Sequence, residues 1–249
     1  MQEKLYNYLL LLGDHSLILG HRLSELCGHG PSLETDIALT NISLDLFGQV
    51  RNYFQYAAEV KGDKTEDDIA MLRYSHEYKN SLLCEQPNED FAHIILRQFF
   101  FDAFHLPLLT ELQSSKDARI AAVAVKSLKE SKYHIRFSSQ WVKRLAGGTE
   151  VSRAKMQDAL AHLWAYTTEL TTPTELETEI QNAGIGANLA AVKTAFDARV
   201  KEVFAEVDLE IPASKYYQKG GKTGIHSEHF GYILSDLQYM QRAYPNMNW

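Results

Sequence analysis

The chain has 249 residues, of which 45% are hydrophobic and 23% charged, and carries a net charge of −7. That hydrophobic share excludes a disordered chain. An acidic balance without a block of basic residues argues against nucleic acid as the main ligand, and no apolar run reaches the ~18–20 residues that would cross a bilayer. The length suffices for one large domain with its own core.

The chain holds only 14 Gly and 6 Pro, about 8% of residues against a usual share of roughly 12%. Pro31, Pro87, Pro173, Pro212 and Pro245 sit in turn-like contexts, and only Pro107 interrupts a helical pattern. Proline lacks the amide that an interior helix or strand needs, so this placement predicts long helices with proline at their junctions. The N-terminal MQEKLYNYLLLLGDH has no basic leader or small-residue cleavage site, which predicts no signal peptide. Two cysteines, Cys27 and Cys84, are too few for a disulfide framework and are expected to be small buried thiols in a reducing cytoplasm.

In chain order, Leu5, Leu9, Leu12, Leu19, Leu23 and Leu26 recur at helical steps and predict a first helix from about Glu3 to Cys27, stopped by Gly28-His29-Gly30-Pro31. Ser32 is the expected cap of a second helix running to about Val60. A third is expected over about Glu66–Leu83, and a fourth, apolar and buried, over Glu89–Gln113 with Asn88 as its cap. A fifth covers about Lys116–Ala146, and Thr149 caps a sixth that ends before Pro173. Segments at Thr174–Asn182 and Asn188–Val207 follow. A basic, Gly-rich stretch from Ile211 to Gly224 reads as a long loop before a last helix near Ser227–Ala243. Nothing reads as a strand. The expectation is a single all-α domain, residues 1–249, with a bundle core at about 32–146 and a helical extension at about 150–249.

Ten histidines among many acids raise the question of a metal centre. A di-iron or di-manganese bundle takes one carboxylate from each of two helices and Glu-x-x-His from each of the other two, the three-residue step placing both groups on one face. If helices two to five form the bundle, the pattern falls on Asp45, Glu77-Tyr78-Lys79-Asn80, Asp102 and Ser131-Lys132-Tyr133-His134. Asn80 stands where an imidazole is needed and Ser131 where a bridging acid is needed. Asn41, Gln49, Gln98 and Arg73 lie one turn from the acids and offer hydrogen bonds to carboxylates that hold no metal. The leading expectation is therefore a polar core without metal; the alternative is an oxidase with an unusual site at Asp45, Glu77, Asp102, His105 and His134. A third possibility is a ligand-binding loop, in which Lys215, Lys219 and Lys222 hold the phosphates of a small molecule.

Four extended blocks, LGDHSLILGHRLSELCGHGP (12–31), DIALTNISLDLFGQ (36–49), EQPNEDFAHIILRQFFFDAFH (85–105) and LKESKYHIRFSSQWVKRLAGGTE (128–150), resemble the C subunits of bacterial phenylacetyl-CoA epoxidases. The resemblance implies a ferritin-like four-helix bundle with additional N- and C-terminal helices, in a multicomponent monooxygenase of aerobic phenylacetate breakdown. It implies a related A subunit that carries the di-iron centre and binds phenylacetyl-CoA, and a reductase subunit that passes electrons from NADPH through flavin and an iron–sulfur cluster. The family's ligand positions carry over to Asp45, Glu77, Asn80, Asp102, Ser131 and His134, where Asn80 and Ser131 depart from the ligand set. The expectation is thus a cytoplasmic, non-catalytic structural subunit that binds no cofactor itself. Its expected partners are the A subunit, the other epoxidase subunits and a possible second copy of itself, with no nucleic acid and no membrane.

Overall fold

The computed structural model describes residues 1–214, 216–245 and 247, and the described residues contain helices and turns but no strand. Two compact units divide the chain. One holds Met1–Glu85 with the described residues from Gly220 onward, and the other holds Gln86–Lys219.

In the first unit, α1 (Gln2–Ser24) and α2 (Leu33–Lys61) form the main packed pair. Ser32 caps α2 as expected, its hydroxyl accepting from the Thr35 amide. Gln2 donates to the Val60 carbonyl at one end, and Ser43 donates to the Gly20 carbonyl further along, so the two helices run antiparallel. Gly13 lets them close: a Cβ there would lie 2.3 Å from the ring of Phe54.

The expected third helix is cut short. α3 covers only Glu66–Met71, closed at its start by a Thr65–Asp68 capping box. Two 3-10 turns, Ser75–Glu77 and Leu82–Glu85, follow in place of a continuous helix to Leu83. The reason is competition for carbonyls. The Ile69 carbonyl accepts from Arg73 Nε, that of Ala70 from the Tyr78 hydroxyl and that of Arg73 from Gln238 Nε2. Side chains thus take acceptors that a continuing helix would use.

The second unit is built on α4 (Phe91–Leu112) and α5 (Ala118–Ala146), with α6 (Glu150–Leu163) packed on both. Short helices α7 (Thr167–Thr171) and α8 (Glu175–Asn182) lead into α9 (Leu189–Ala205), which packs on α4. Pairing of Phe91 with Trp141 and of Asp102 with Ser138 makes α4 and α5 antiparallel. The α4 cap is Asp90, not Asn88: Asp90 accepts from the His93 amide, while Asn88 Oδ1 is taken by the buried Arg97. Since α6 and α9 pack on α4, the expected boundary near residue 150 does not separate the units.

The stretch at Gly220–Gly224 is not a solvated loop. It forms a 3-10 turn in the first unit, with Gly221 and Lys222 buried, followed by α10 (Glu228–Ala243). A Cβ on Gly221 would stand 2.3 Å from the Asn80 carbonyl oxygen, a backbone atom with nowhere to move. Gly221→Ala is therefore expected to destabilise by about 1–3 kcal/mol, read as a lower urea midpoint. Cys84 is buried as expected, but Cys27 is exposed, because it lies beyond the end of α1 in an open turn.

Candidate functional site: two buried polar networks

Many of the buried polar residues lie on four long helices, α1 and α2 in the first unit and α4 and α5 in the second. Others, among them Arg73, Asn80 and Glu85, lie between α3 and α4.

In the first unit, Asp14 of α1 is fully buried against Arg73. Arg73 Nη1 donates to Asp14 Oδ2 at 2.9 Å, and Nη2 donates to Oδ1. The Lys79 amide donates to the same carboxylate at 2.8 Å, and the Arg73 guanidinium lies 3.9 Å from the centre of the Tyr78 ring. Next to it in sequence, His15 gives its Nδ1 hydrogen to the Leu11 carbonyl at 2.6 Å. Burial, with the positive charge of Lys222, holds this imidazole down to about 3, so it is neutral at neutral pH.

Glu85 is the other centre of this unit. It is fully buried and accepts from Asn80 Nδ2 at 2.8 Å, His226 Nδ1 at 2.5 Å, and the Ser227 amide and hydroxyl at 2.9 and 2.6 Å. Its backbone carbonyl accepts twice from Arg22, at 2.8 and 3.0 Å. These bonds tie the segment after α3 to both α1 and the start of α10.

In the second unit, Asp102 of α4 is buried, with Oδ1 accepting from Gln98 Nε2 and Oδ2 from the Ser138 hydroxyl, both at 2.7 Å. Burial pushes its carboxyl up to about 6, opposed by the nearby charge of His134 and by those two hydrogen bonds. His105, Ser131 and His134 are buried in the same unit, and the Ser131 hydroxyl has no hydrogen-bond partner among the described residues.

The sequence-expected ligands fall in different units. Asp102, Ser131, His134 and the alternative ligand His105 are buried in the second unit. Asp45 is only half-buried on α2, and of the two amides expected beside it Asn41 is exposed while Gln49 is buried. Glu77 is not on a helix and is half-buried, and its carboxylate accepts from the Tyr74 amide of its own turn. Arg73 pairs with Asp14, not with the Glu77 carboxylate; it reaches only the Glu77 carbonyl, at 3.0 Å. Asn80 presents an amide hydrogen to Glu85, which is the wrong polarity for a metal ligand.

A dinuclear carboxylate centre requires an acid from each of four helices. Among their buried residues α2 and α5 offer no carboxylate at all, Asp14 of α1 is neutralised by Arg73, and Asp102 of α4 is held by an amide and a hydroxyl. The residues present do not fit a di-iron group. Of the lysines considered for a phosphate ligand, Lys222 is 4% exposed and faces inward, Lys219 is exposed, and Lys215 lies outside the described residues. No helix among the described residues is long and apolar enough to cross a membrane.

Glu85 and His226 were missed as structural centres from sequence, and so was the partner of Asp14. Asp14-His15 carried a signal, an acid on the apolar face of α1, but its partner Arg73 is 59 residues away.

The described residues form helices and turns without a strand, and their long helices bury acids and histidines as a ferritin-like helical fold does. A family model described as "Phenylacetic acid catabolic protein" matches residues 1–249, and the chain belongs to that family. It is 45% identical over 247 residues to a protein of Escherichia coli (strain K12) described as the C subunit of "1,2-phenylacetyl-CoA epoxidase"; the match covers 99% of this chain and 100% of that one.

Proposed function

We propose that this chain is a non-catalytic structural subunit of a cytoplasmic phenylacetyl-CoA epoxidase, in which it holds a homologous di-iron subunit that carries the chemistry. The reductase with its flavin and iron–sulfur cluster, and NADPH, belong to the other subunits, and phenylacetyl-CoA is met only through the complex. The observation that carries this reading is that two of the four long helices, α2 and α5, bury no acid that could bridge two irons. The surface of α2 supports a partner role. Leu33, Ile37 and Leu44 are 72%, 51% and 60% exposed, and their spacing puts them on one stripe of the helix.

Co-expression with the related catalytic subunit tests both parts. An Ile37→Asp/Leu44→Asp variant is expected to keep its helical circular dichroism and lose co-purification. The isolated chain is expected to show no oxygenase turnover. About two equivalents of iron per chain, as a dinuclear site requires, together with turnover by the isolated chain, would overturn the proposal.

A further inference from the structure

We propose that Glu89, His93 and His162 form a mononuclear site for a borderline divalent transition ion, zinc being the best match, that ties the start of α4 to the end of α6.

The three side chains each offer one ligand atom, and these atoms all lie within 4.8 Å of one another. His93 Nε2 is 3.3 Å from Glu89 Oε2, and His162 Nδ1 is 3.8 Å from Glu89 Oε1. A tetrahedral ion with bonds of about 2.0–2.1 Å separates its ligand atoms by roughly 3.3–3.5 Å. His93 is already at that spacing from one Glu89 oxygen, and His162 stands a few tenths of an ångström beyond it from the other. The two histidine nitrogens lie within 4.8 Å, so ring movement by the partly buried His162 has to close the site. The two imidazole rings stand 5.6 Å apart and tilted by 56°, so they are not stacked on one another.

A second observation points to a ligand independently. His93 Nδ1 lies 2.8 Å from Asp90 Oδ1 and has that carboxylate as its acceptor. The ionised carboxylate can only accept, so Nδ1 carries a hydrogen, and Nε2 is the ring nitrogen on the side of Glu89. Metal-bound histidines are oriented by a carboxylate in this way, which sets the tautomer and raises the basicity of the ligating nitrogen. His93 itself is buried, while Glu89 is half-exposed and gives an ion a way in from solvent. Lys155 approaches the other Asp90 oxygen at 3.5 Å and leaves Oδ1 to the histidine. Two imidazoles with one carboxylate select zinc, cobalt or nickel over the hard cations, and three protein ligands leave a fourth position for water.

The test uses the full-length untagged chain, dialysed free of metal and titrated with Zn²⁺ alone, with Co²⁺ as a spectroscopic probe. One zinc per chain and a cobalt absorption of tetrahedral intensity are expected. His162→Ala is expected to abolish both while leaving the helical signal intact. Asp90→Asn keeps a good cap residue on α4 yet is expected to weaken zinc binding about 10- to 100-fold by removing the carboxylate behind His93. Zinc binding unchanged in His162→Ala, or no zinc retained by the unaltered chain, would overturn the proposal.

Discussion

Replacing Asp14 with alanine is expected to cost the fold about 3–5 kcal/mol, because it leaves the Arg73 guanidinium buried without its counter-charge. Both side chains are essentially inaccessible, at 0% and 1%, so water cannot take over the lost bonds. The damage spreads beyond the pair. The Lys79 amide loses its acceptor, and the Arg73 side chain that holds the Ile69 and Glu77 carbonyls loses its anchor on α1. For a chain of this size such a loss corresponds to a fall of about 6–20 °C in the melting midpoint. Should the single variant fail to accumulate, the double replacement Asp14→Leu/Arg73→Met supplies the check. Removing both charges together is expected to recover a large part of the loss, since a buried pair replaced by apolar side chains is often close to neutral. A single variant as stable as the unaltered protein in urea would show that the pair does not hold the segment after α3 to α1.

Asp102→Asn is expected to do the opposite at neutral pH, stabilising the chain by up to about 3 kcal/mol. Burial raises the Asp102 carboxyl from its ordinary value near 3.8 to about 6; a rise of that size corresponds to about 3 kcal/mol of preference for the protonated form. Between these two values the folded chain keeps a proton that the unfolded chain has released. The group's contribution is therefore fully favourable below about pH 4 and is lost as pH rises through 6. Asparagine cannot ionise and keeps the shape of the network. Its oxygen accepts from Ser138, and its amide, after a flip of Gln98, donates to the Gln98 Oε1 that now has no hydrogen-bond partner. Urea unfolding of both proteins from pH 4 to 8 should show equal stability at the acid end and a gap that opens through pH 6. In the assembled epoxidase the same variant is expected to leave turnover unchanged. Loss of turnover with assembly intact would assign Asp102 to catalysis and overturn the structural reading.

Much of the helical frame was legible because its signals are local. Ser32 and Thr149 cap α2 and α6 where a small hydroxyl precedes a periodic apolar run, and Gly147 ends α5. That Asn80 and Ser131 are neither imidazole nor acid was legible too, since donor chemistry goes with the residue type. The third helix was not legible. Glu66–Leu83 has acceptable helical composition, and what ends it at Met71 is a set of acceptors claimed by Tyr78, Gln238 and Arg73 itself. Two of those three bonds cross eight residues or more, beyond any window of helical periodicity. Glu89, His93 and His162 show the same limit: the first two stand four apart on one face, but His162 meets them only through the packing of α6 on α4.

By itself the sequence determined the all-α class, most helix ends and the donor types at the expected ligand positions, all of which depend on residue type and short-range spacing. Tertiary structure alone decided which charges were neutralised and by whom. It set Arg73 on Asp14, Asn80 and His226 on Glu85, and Gln98 and Ser138 on Asp102. It also buried Lys222 in a stretch whose composition reads as a solvated loop. The physical reason is that a buried polar group must find a partner, and which partner it finds is fixed by how helices far apart in the chain come to lie together.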